Sequence, residues 1–297
     1  LSAQVRPLVA DDVDAAAEAD FAAFLDIAAR HGQPPVVTAV RDARANLRRL
    51  LAADPLGGFV AEEDGHVVGH AWVHARGPIA TVGPIAVEPG RQGHGTGRAL
   101  LARCLEAAGP RATQVRLVQE SVNLRALALY LRAGFRVVAP VVELELRAGA
   151  PVGLVECPPG VELRGADRDD RARIVARDAR AFGTSRPNDV GRALDAGRGV
   201  VALRGGTLVG YALGVPGRLG SAAADDADVV LAMLSALAAE PALGRVPLRA
   251  MILATDRRLV DGLMAIGFAL FRSCQYMVRG GGTAPSGGYV LMGGDFM

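Results

Sequence analysis

The sequence predicts an α/β (α+β) protein made of two copies of one unit, each a mixed twisted sheet flanked by helices. Two pairs of matching segments and one unpaired segment carry this. Gly57–Val73 (GGFVAEEDGHVVGHAWV) and Gly197–Leu213 (GRGVVALRGGTLVGYAL) each read as two apolar runs around a glycine turn, ending in V-G-[HY]-A. That is the pattern of a β-hairpin. Leu124–Phe135 (LRALALYLRAGF) and Arg257–Phe268 (RRLVDGLMAIGF) each read as a short helix closed by glycine and followed by an apolar strand. Between hairpin and helix, the first copy alone carries a glycine-rich loop, set between a strand and a second helix. Matches recurring in one order along a chain mark an internal repeat.

Each copy opens alike. Val5 and Val161 begin short apolar stretches, followed by acidic caps expected at Asp11 and Asp167 and by Ala/Arg-rich helices. In the first copy, Phe21 to Val40, with His31, Pro34 and Pro35, reads as a helix running into a loop. The hairpin comes next, then a strand at Val82–Val87, an amphipathic helix at Arg98–Ala108 with Leu100, Leu101, Leu105 and Ala108 near one face, and a fifth strand at Gln114–Gln119. A length of 297 residues suits two domains. The expected division is a first domain over 1–147, a linker over 148–160 containing Pro151, Pro158 and Pro159, and a second domain over 161–297. The glycine-rich tail from Gly280 adds one candidate strand at Tyr289–Met292.

Composition excludes several chemistries. The chain holds 33 basic and 31 acidic residues, a net charge of +2, which gives no reason to expect a nucleic-acid or membrane-surface binder. None of the basic residues is lysine, so a Walker-type phosphate loop, a pyridoxal Schiff base and a protein-kinase site all lack a required residue. The three cysteines, Cys104, Cys157 and Cys274, are isolated. A disulfide framework and a cysteine zinc site are therefore not expected, and a reducing cytoplasm is. No apolar run reaches the ~18 residues that span a bilayer, and Leu1–Arg6 lacks the charged-then-apolar pattern of a secretory signal. His66, His70 and His74 lie four apart. On a strand that interval is about 13 Å, too far for one ion, so no metal is expected.

The segment that promises chemistry is Val82–Glu106 (VGPIAVEPGRQGHGTGRALLARCLE). Glycines let backbone N–H groups converge, and a helix start adds positive dipole; together they bind phosphate. By itself the loop reads equally as a ligand-free turn, since G-x-G-x-G is not the dinucleotide fingerprint. Its context decides. A strand ending in A-V-x-P, then Gln92-Gly93-His94-Gly95-Thr96-Gly97, then a helix, resembles the acetyl-CoA motif of the GNAT acyltransferase superfamily. Asn123 to Tyr130 with Gly134-Phe135 is similar to that family's second motif, N-x-x-A-x-x-L-Y-x-x-x-G-F. The resemblance covers about residues 5–147; the repeat extends it over 161–280 as a tandem of two GNAT-like domains.

The resemblance implies splayed parallel strands with the pantetheine arm of acetyl-CoA, the co-substrate, in the wedge. It would pair with the backbone of Ile85, Ala86 and Val87. The amides of Gln92, Gly93, His94, Gly95, Thr96 and Gly97, with Arg98, would hold the pyrophosphate. Asn123 would contact the arm, and Tyr130 would protonate the departing thiolate. Tyr130 also reads as a core tyrosine on an amphipathic helix. The acceptor implied is a small-molecule amine or a peptide, with no nucleic acid and no membrane involved, and Phe21–Val40 would shape its pocket. Where many relatives carry a Glu base this chain has Gly83. Glu120, His70, His74 and a water relay stay open as alternatives, and Glu120 reads equally as an exposed strand-end carboxylate.

The second copy departs where the loop should be. The stretch between matched glycines is 65 residues in the first copy (Gly69 to Gly134) and 57 in the second (Gly210 to Gly267). Ala222–Glu240 reads as a helix whose Asp225, Asp226 and Asp228 would repel pyrophosphate. Leu263 stands for Tyr130 and Asp256 for Asn123. The second domain is expected to keep the fold, lose the cofactor, and serve by packing, closing the acceptor cleft or forming a homodimer. The expected function is acetyl-CoA-dependent N-acetyl transfer. The alternatives are a non-catalytic acyl-CoA-binding or sensing protein and a paired scaffold.

Overall fold

The computed structural model describes residues 3–285 and 288–293; the expected domain limits at 1 and 297 lie outside the described residues. Two compact units form. The first runs through Arg136 and takes in Val278–Gly281; the second comprises Val137–Met277 and the segment from Gly282.

Unit 1 contains β1 (Gln4–Pro7), α1 (Val13–Arg30), α2 (Val40–Ala53), β2 (Gly58–Glu63), β3 (His66–Arg76), β4 (Ile79–Val87), α3 (Thr96–Ala108), β5 (Gln114–Glu120) and α4 (Leu124–Arg132). Its strands run β1-β2-β3-β4-β5, antiparallel except for β4 and β5. The β2–β3 hairpin turns at Asp64-Gly65, as the alternating pattern requires. Helix α3 buries Leu100, Leu101, Cys104 and Ala108, while Leu105 is half-buried. Trp72, Leu47, Leu50 and Leu117 fill the core beside them. The segment Val278–Gly281 lies along the start of β5, where Gln114 Nε2 donates to the Gly281 carbonyl at 2.7 Å.

Unit 2 contains β6 (Arg136–Leu146) from Val137 on, β7 (Glu162–Gly165), α5 (Arg171–Phe182), α6 (Pro187–Ala196), β8 (Arg198–Arg204), β9 (Thr207–Val215), β10 (Arg218–Ala224), α7 (Ala227–Ala238), β11 (Leu248–Leu253), α8 (Arg257–Ala265), β12 (Ala269–Gly280) as far as Met277, and β13 (Tyr289–Leu291). Its strand order is β12-β6-β11-β13-β10-β9-β8-β7. Thus β6, which follows the first copy's motifs in sequence, pairs antiparallel with β11 of the second, from Leu248↔Leu146 to Leu253↔Val141.

The repeat is legible bond by bond. Arg6 grips Asp12 through both guanidinium nitrogens at 2.7 and 2.8 Å, and Arg164 grips Asp170 at 2.6 and 2.9 Å. Asp12 and Asp170, rather than the expected Asp11 and Asp167, therefore stand at the helix starts. Their carboxylates are lowered below the usual range, chiefly by those arginine hydrogen bonds. In the β3–β4 ladder Ala71 opposes Ile85 but Val73 opposes Val82, so β4 carries one extra residue opposite Trp72. In β9–β10, Ala212 opposes Ala222 but Gly214 opposes Leu219, placing the same bulge opposite Leu213. Asn123 caps α4 by accepting from the Ala126 amide at 3.0 Å; Asp256 caps α8 by accepting from the Leu259 amide at 3.2 Å. The following glycines are both left-handed, Gly134 at φ +85° and Gly267 at φ +113°.

One expectation is corrected. Ala222–Ala224 continue β10, and α7 begins only at Ala227. The helix pattern was read too early because the alanines before Asp226 suit either state; Asp226, with φ −117° and its carboxylate on the Asp228 amide at 2.9 Å, sets the start.

Candidate active site

The site in unit 1 begins with a ladder that stops. Strands β4 and β5 pair in parallel at Ile79↔Gln114, Ala80↔Val115 and Thr81↔Arg116, and among the described residues no further. The β4 bulge at Gly83-Pro84 comes directly after, re-aiming the strand away from β5. A β-carbon placed on Gly69 would strike the Ala86 carbonyl, so Ala86 turns its main chain toward β3. By alternation, Ile85 and Val87 turn theirs toward the wedge. These are hydrogen-bonding groups at the edge of the wedge, of which the Val87 carbonyl is met by Gln92 Nε2.

At the mouth of the wedge the chain makes a 3₁₀ turn (Pro89–Arg91) and then the loop 92–97. Gly95, at φ +98° and ψ −11°, is the N-cap of α3, and Gly93 sits at φ +90°. A β-carbon at Gly93 would meet nothing within 4 Å, so its glycine is there for backbone angle, not space. No side chain caps α3, and its first turn holds no acidic residue. The Ala99 amide is the first to bond within the helix, to the Gly95 carbonyl at 3.0 Å. The helix start thus presents donors and positive dipole to an anion.

Gln92 anchors this loop. Its Nε2 donates to the Val87 carbonyl at 2.9 Å, and its Oε1 accepts from Arg125 at 3.2 Å and from Arg30 at 3.5 Å. Together with Arg98, whose guanidinium would lie 3.7 Å from a Gly95 β-carbon, three arginines surround the helix start. Of these the sequence pointed only to Arg98. Arg125 sits inside the second motif, which was the available signal; Arg30 comes from α1 with none. His94 is exposed.

On the far side lie the groups expected to act. Tyr130 is half-buried on α4, edge-on to Phe135 at 5.9 Å between centroids. Burial, aided by the neighbouring Cys104 thiol, raises its hydroxyl well above the ordinary tyrosine value. Burial likewise pushes the Cys104 thiol up to about 12. Tyr130 is therefore a protonated donor across the neutral range. Asn123 commits its Oδ1 to the helix cap, and its carbonyl accepts from Gln119 Nε2 at 2.8 Å. Glu120 is half-buried at the end of β5, with its carbonyl accepting from the Asn123 amide at 3.0 Å.

Of the three histidines on β3, His70 and His74 are buried and His66 is exposed. His70 Nε2 meets Asp20 of α1 at 3.0 Å, with both residues almost fully buried. His74 Nδ1 meets Asp54 at 2.6 Å, and Arg76 bonds both Asp54 oxygens at 2.8 and 2.7 Å. Burial alone would raise Asp54; the bonds from His74 and Arg76 outweigh it and hold the carboxyl below the usual range. Among the described residues no group of three His, Cys, Asp or Glu is placed to hold a metal ion, and no helix is long and apolar enough to cross a membrane.

Residues 22–135 match the acetyltransferase (GNAT) family. A mycothiol acetyltransferase of Streptomyces avermitilis is 43% identical over 88 residues, 28% of this chain and 28% of that protein. The chain thus aligns with under a third of that relative's length. Among solved structures, a Pyrococcus horikoshii protein assigned to the acetyltransferases superimposes with a TM-score of 0.81 at 18% identity, covering 100% of this chain and 96% of that one. A tandem GNAT protein from the clavulanic acid biosynthesis pathway gives 0.61 at 18% identity, covering 95% and 99%. Over both units the fold is like that of the tandem GNAT protein, and residues 22–135 match the acetyltransferase (GNAT) family.

Proposed function

We propose that the chain is an acetyl-CoA-dependent N-acetyltransferase working through unit 1, with the amine attacking the thioester directly in a ternary complex. One observation carries the reading: the β4–β5 ladder ends at Thr81↔Arg116, and the wedge beyond it opens at a helix start that no side chain caps. The pyrophosphate takes the amides of Gln92 to Gly97 and the charge of Arg98. Pantetheine lies along Ile85, Ala86 and Val87. Arg30 and Arg125 hold Gln92, and so hold the loop.

Acyl transfer needs an unprotonated amine, a donor for the carbonyl oxygen and a proton for the leaving thiolate. A strand N–H at the bulge supplies the second and Tyr130 the third; Cys104, itself protonated, adds no charge beside it. The buried pairs His70–Asp20 and His74–Asp54 support the sheet and do not reach the amine. Glu120, directly or through water, is the base carried forward. Much of the rate comes from holding amine and thioester together. Gly83, in the place of the family's Glu, favours a second reading, an acyl-CoA-binding protein without transfer.

Titration with acetyl-CoA, followed by thiol release against a panel of primary amines, N-terminal peptides and the acceptor of the mycothiol acetyltransferases, tests both. Binding with release supports the enzyme; binding without release for any amine supports the sensor; no binding at millimolar acetyl-CoA rejects both. Gly95→Glu forces a side chain onto a left-handed residue and places a carboxylate at the anion site. It should abolish binding, and unchanged affinity would remove the site from residues 92–97.

A further inference from the structure

The wedge has a counterpart in unit 2, and the chain fills it. Among the described residues, strands β10 and β11 pair in parallel only at Arg218↔Arg249 and Leu219↔Ala250. Beyond that point β13 enters between them. It pairs antiparallel with β10 at Ala222↔Val290 and Ala223↔Tyr289, and with β11 at Met251↔Leu291 and Ile252↔Val290. Through the matched ladders, Ala222 and Ala223 occupy the places of Ile85 and Ala86, because each opposes the corresponding residue of the preceding strand. So β13 bonds the same stretch of backbone that unit 1 leaves turned toward its wedge.

The attachments of β13 repeat the logic. Asp256, which stands where Asn123 stands, uses Oδ1 for its helix cap and accepts the Gly288 amide on Oδ2 at 2.7 Å. Gly288 sits at φ +75° with the Ala224 carbonyl where a β-carbon would be, so only glycine allows this approach. Tyr289 accepts from Arg186 at 2.6 Å, and Arg186 is itself bidentate to buried Asp178 at 2.7 and 2.8 Å. Tyr289, Val290 and Leu291 are almost wholly buried. At the Gly288 end of the slot, the start of α7 is already occupied by a carboxylate: Asp226 accepts from the Asp228 amide at 2.9 Å, where α3 has no cap.

We infer that unit 2 keeps an acyl-CoA-shaped slot closed with parts of its own chain, β13 in place of the pantetheine arm and Asp226 in place of the phosphate, so that the slot is a strand-accepting groove. The comparison with pantetheine rests on the reading of unit 1 given above; the groove itself does not. Its natural occupant is supplied in cis, and a short extended apolar peptide is the class of ligand that replaces it. Main-chain bonds on two edges hold such a strand, and the apolar core in which Val290 is buried selects an apolar side chain.

The test uses a chain ended after Pro285 and a fluorescein-labelled hexapeptide with the sequence of residues 288–293. The truncated chain should melt lower, bind the peptide and recover its melting temperature with it; the full chain should not bind. A Val290→Asp peptide should bind at least tenfold more weakly. Acetyl-CoA should bind both chains with one site each and leave the peptide in place. A truncated chain with unchanged melting temperature and no peptide binding overturns the inference, as do two acetyl-CoA sites on the full chain. Failure of acetyl-CoA to bind either chain, with the peptide still bound, rejects the reading of unit 1 alone. Should truncation prevent folding, full-length Tyr289→Phe serves. Hydrogen exchange at 222–223 and 251–252 should then quicken several-fold while 85–87 stays unchanged; equal rates at all these amides overturn the inference.

Discussion

Single side chains separate the groups proposed to do chemistry from those that hold the sheet. Tyr130 has its proton secured by burial, which removes any ionisation of its own from the working range. Tyr130→Phe should lower kcat by about 100-fold, the small end of general-acid effects, with KM for acetyl-CoA little changed. Equal turnover in steady-state assays would reject the acid role. The rate of the parent enzyme should show no loss up to about pH 10 that depends on Tyr130. Asp54 works in the opposite sense. Its folded-state value lies below the ordinary carboxylate value, so the stability it adds is fully present above that ordinary value and is lost as pH falls through the folded one. Asp54→Asn should cost roughly 2 kcal/mol at pH 7, the scale of hydrogen bonds to a charged group. The gap between variant and parent melting temperatures should stay constant from pH 7 to 5 and close below pH 4. A gap that widened in acid would contradict the assignment.

At the scale of elements, hairpins were legible because they are written locally, whereas the acidic caps expected at Asp11 and Asp167 lie at Asp12 and Asp170. Gly65 and the Gly205-Gly206 pair mark the two turns, and Asn123 and Asp256 mark two helix starts with φ of −86° and −85°. The loop at 92–97 was legible for the same reason, as its glycines and the uncapped helix sit side by side in sequence. What escaped depends on distant partners. Nothing near Arg136–Leu146 says that β6 will pair with β11, and Tyr289–Leu291 reads as a strand without saying between which neighbours. Arg30 reaches Gln92 across 62 residues, beyond any local pattern. The shared cap also separates structure from binding at Asn123. Asn123→Asp should leave the melting temperature close to the parent's, because Asp256 shows the carboxylate capping in the same backbone geometry. It should raise KM for acetyl-CoA, since the amide donor is gone. Asn123→Ala should lose about 1 kcal/mol of stability as well. If Asn123→Asp destabilised as much as Asn123→Ala, the cap would not be the shared function.

For the whole chain, duplication followed by divergence leaves two units with one backbone plan and different contents. The differences concentrate where a ligand would lie. The first unit has an uncapped helix start and a short parallel ladder between β4 and β5; the second has a carboxylate cap and a third strand. Ligand should therefore stabilise the chain unevenly. A ligand that binds only the native state adds RT ln(1 + [L]/Kd), about 2.7 kcal/mol at 100 times Kd. That energy appears only in opening reactions that break the site. Saturating acetyl-CoA should slow amide exchange across 85–98 and 114–130 by up to about 100-fold, the factor set by that energy. Exchange across the matched stretches 222–238 and 248–263 should stay unchanged, because their openings do not release the ligand. Mass-resolved hydrogen exchange with and without acetyl-CoA measures both regions in one sample. Equal protection of the two would mean that both units take the ligand, and protection confined to 222–263 would move the active site to the second unit.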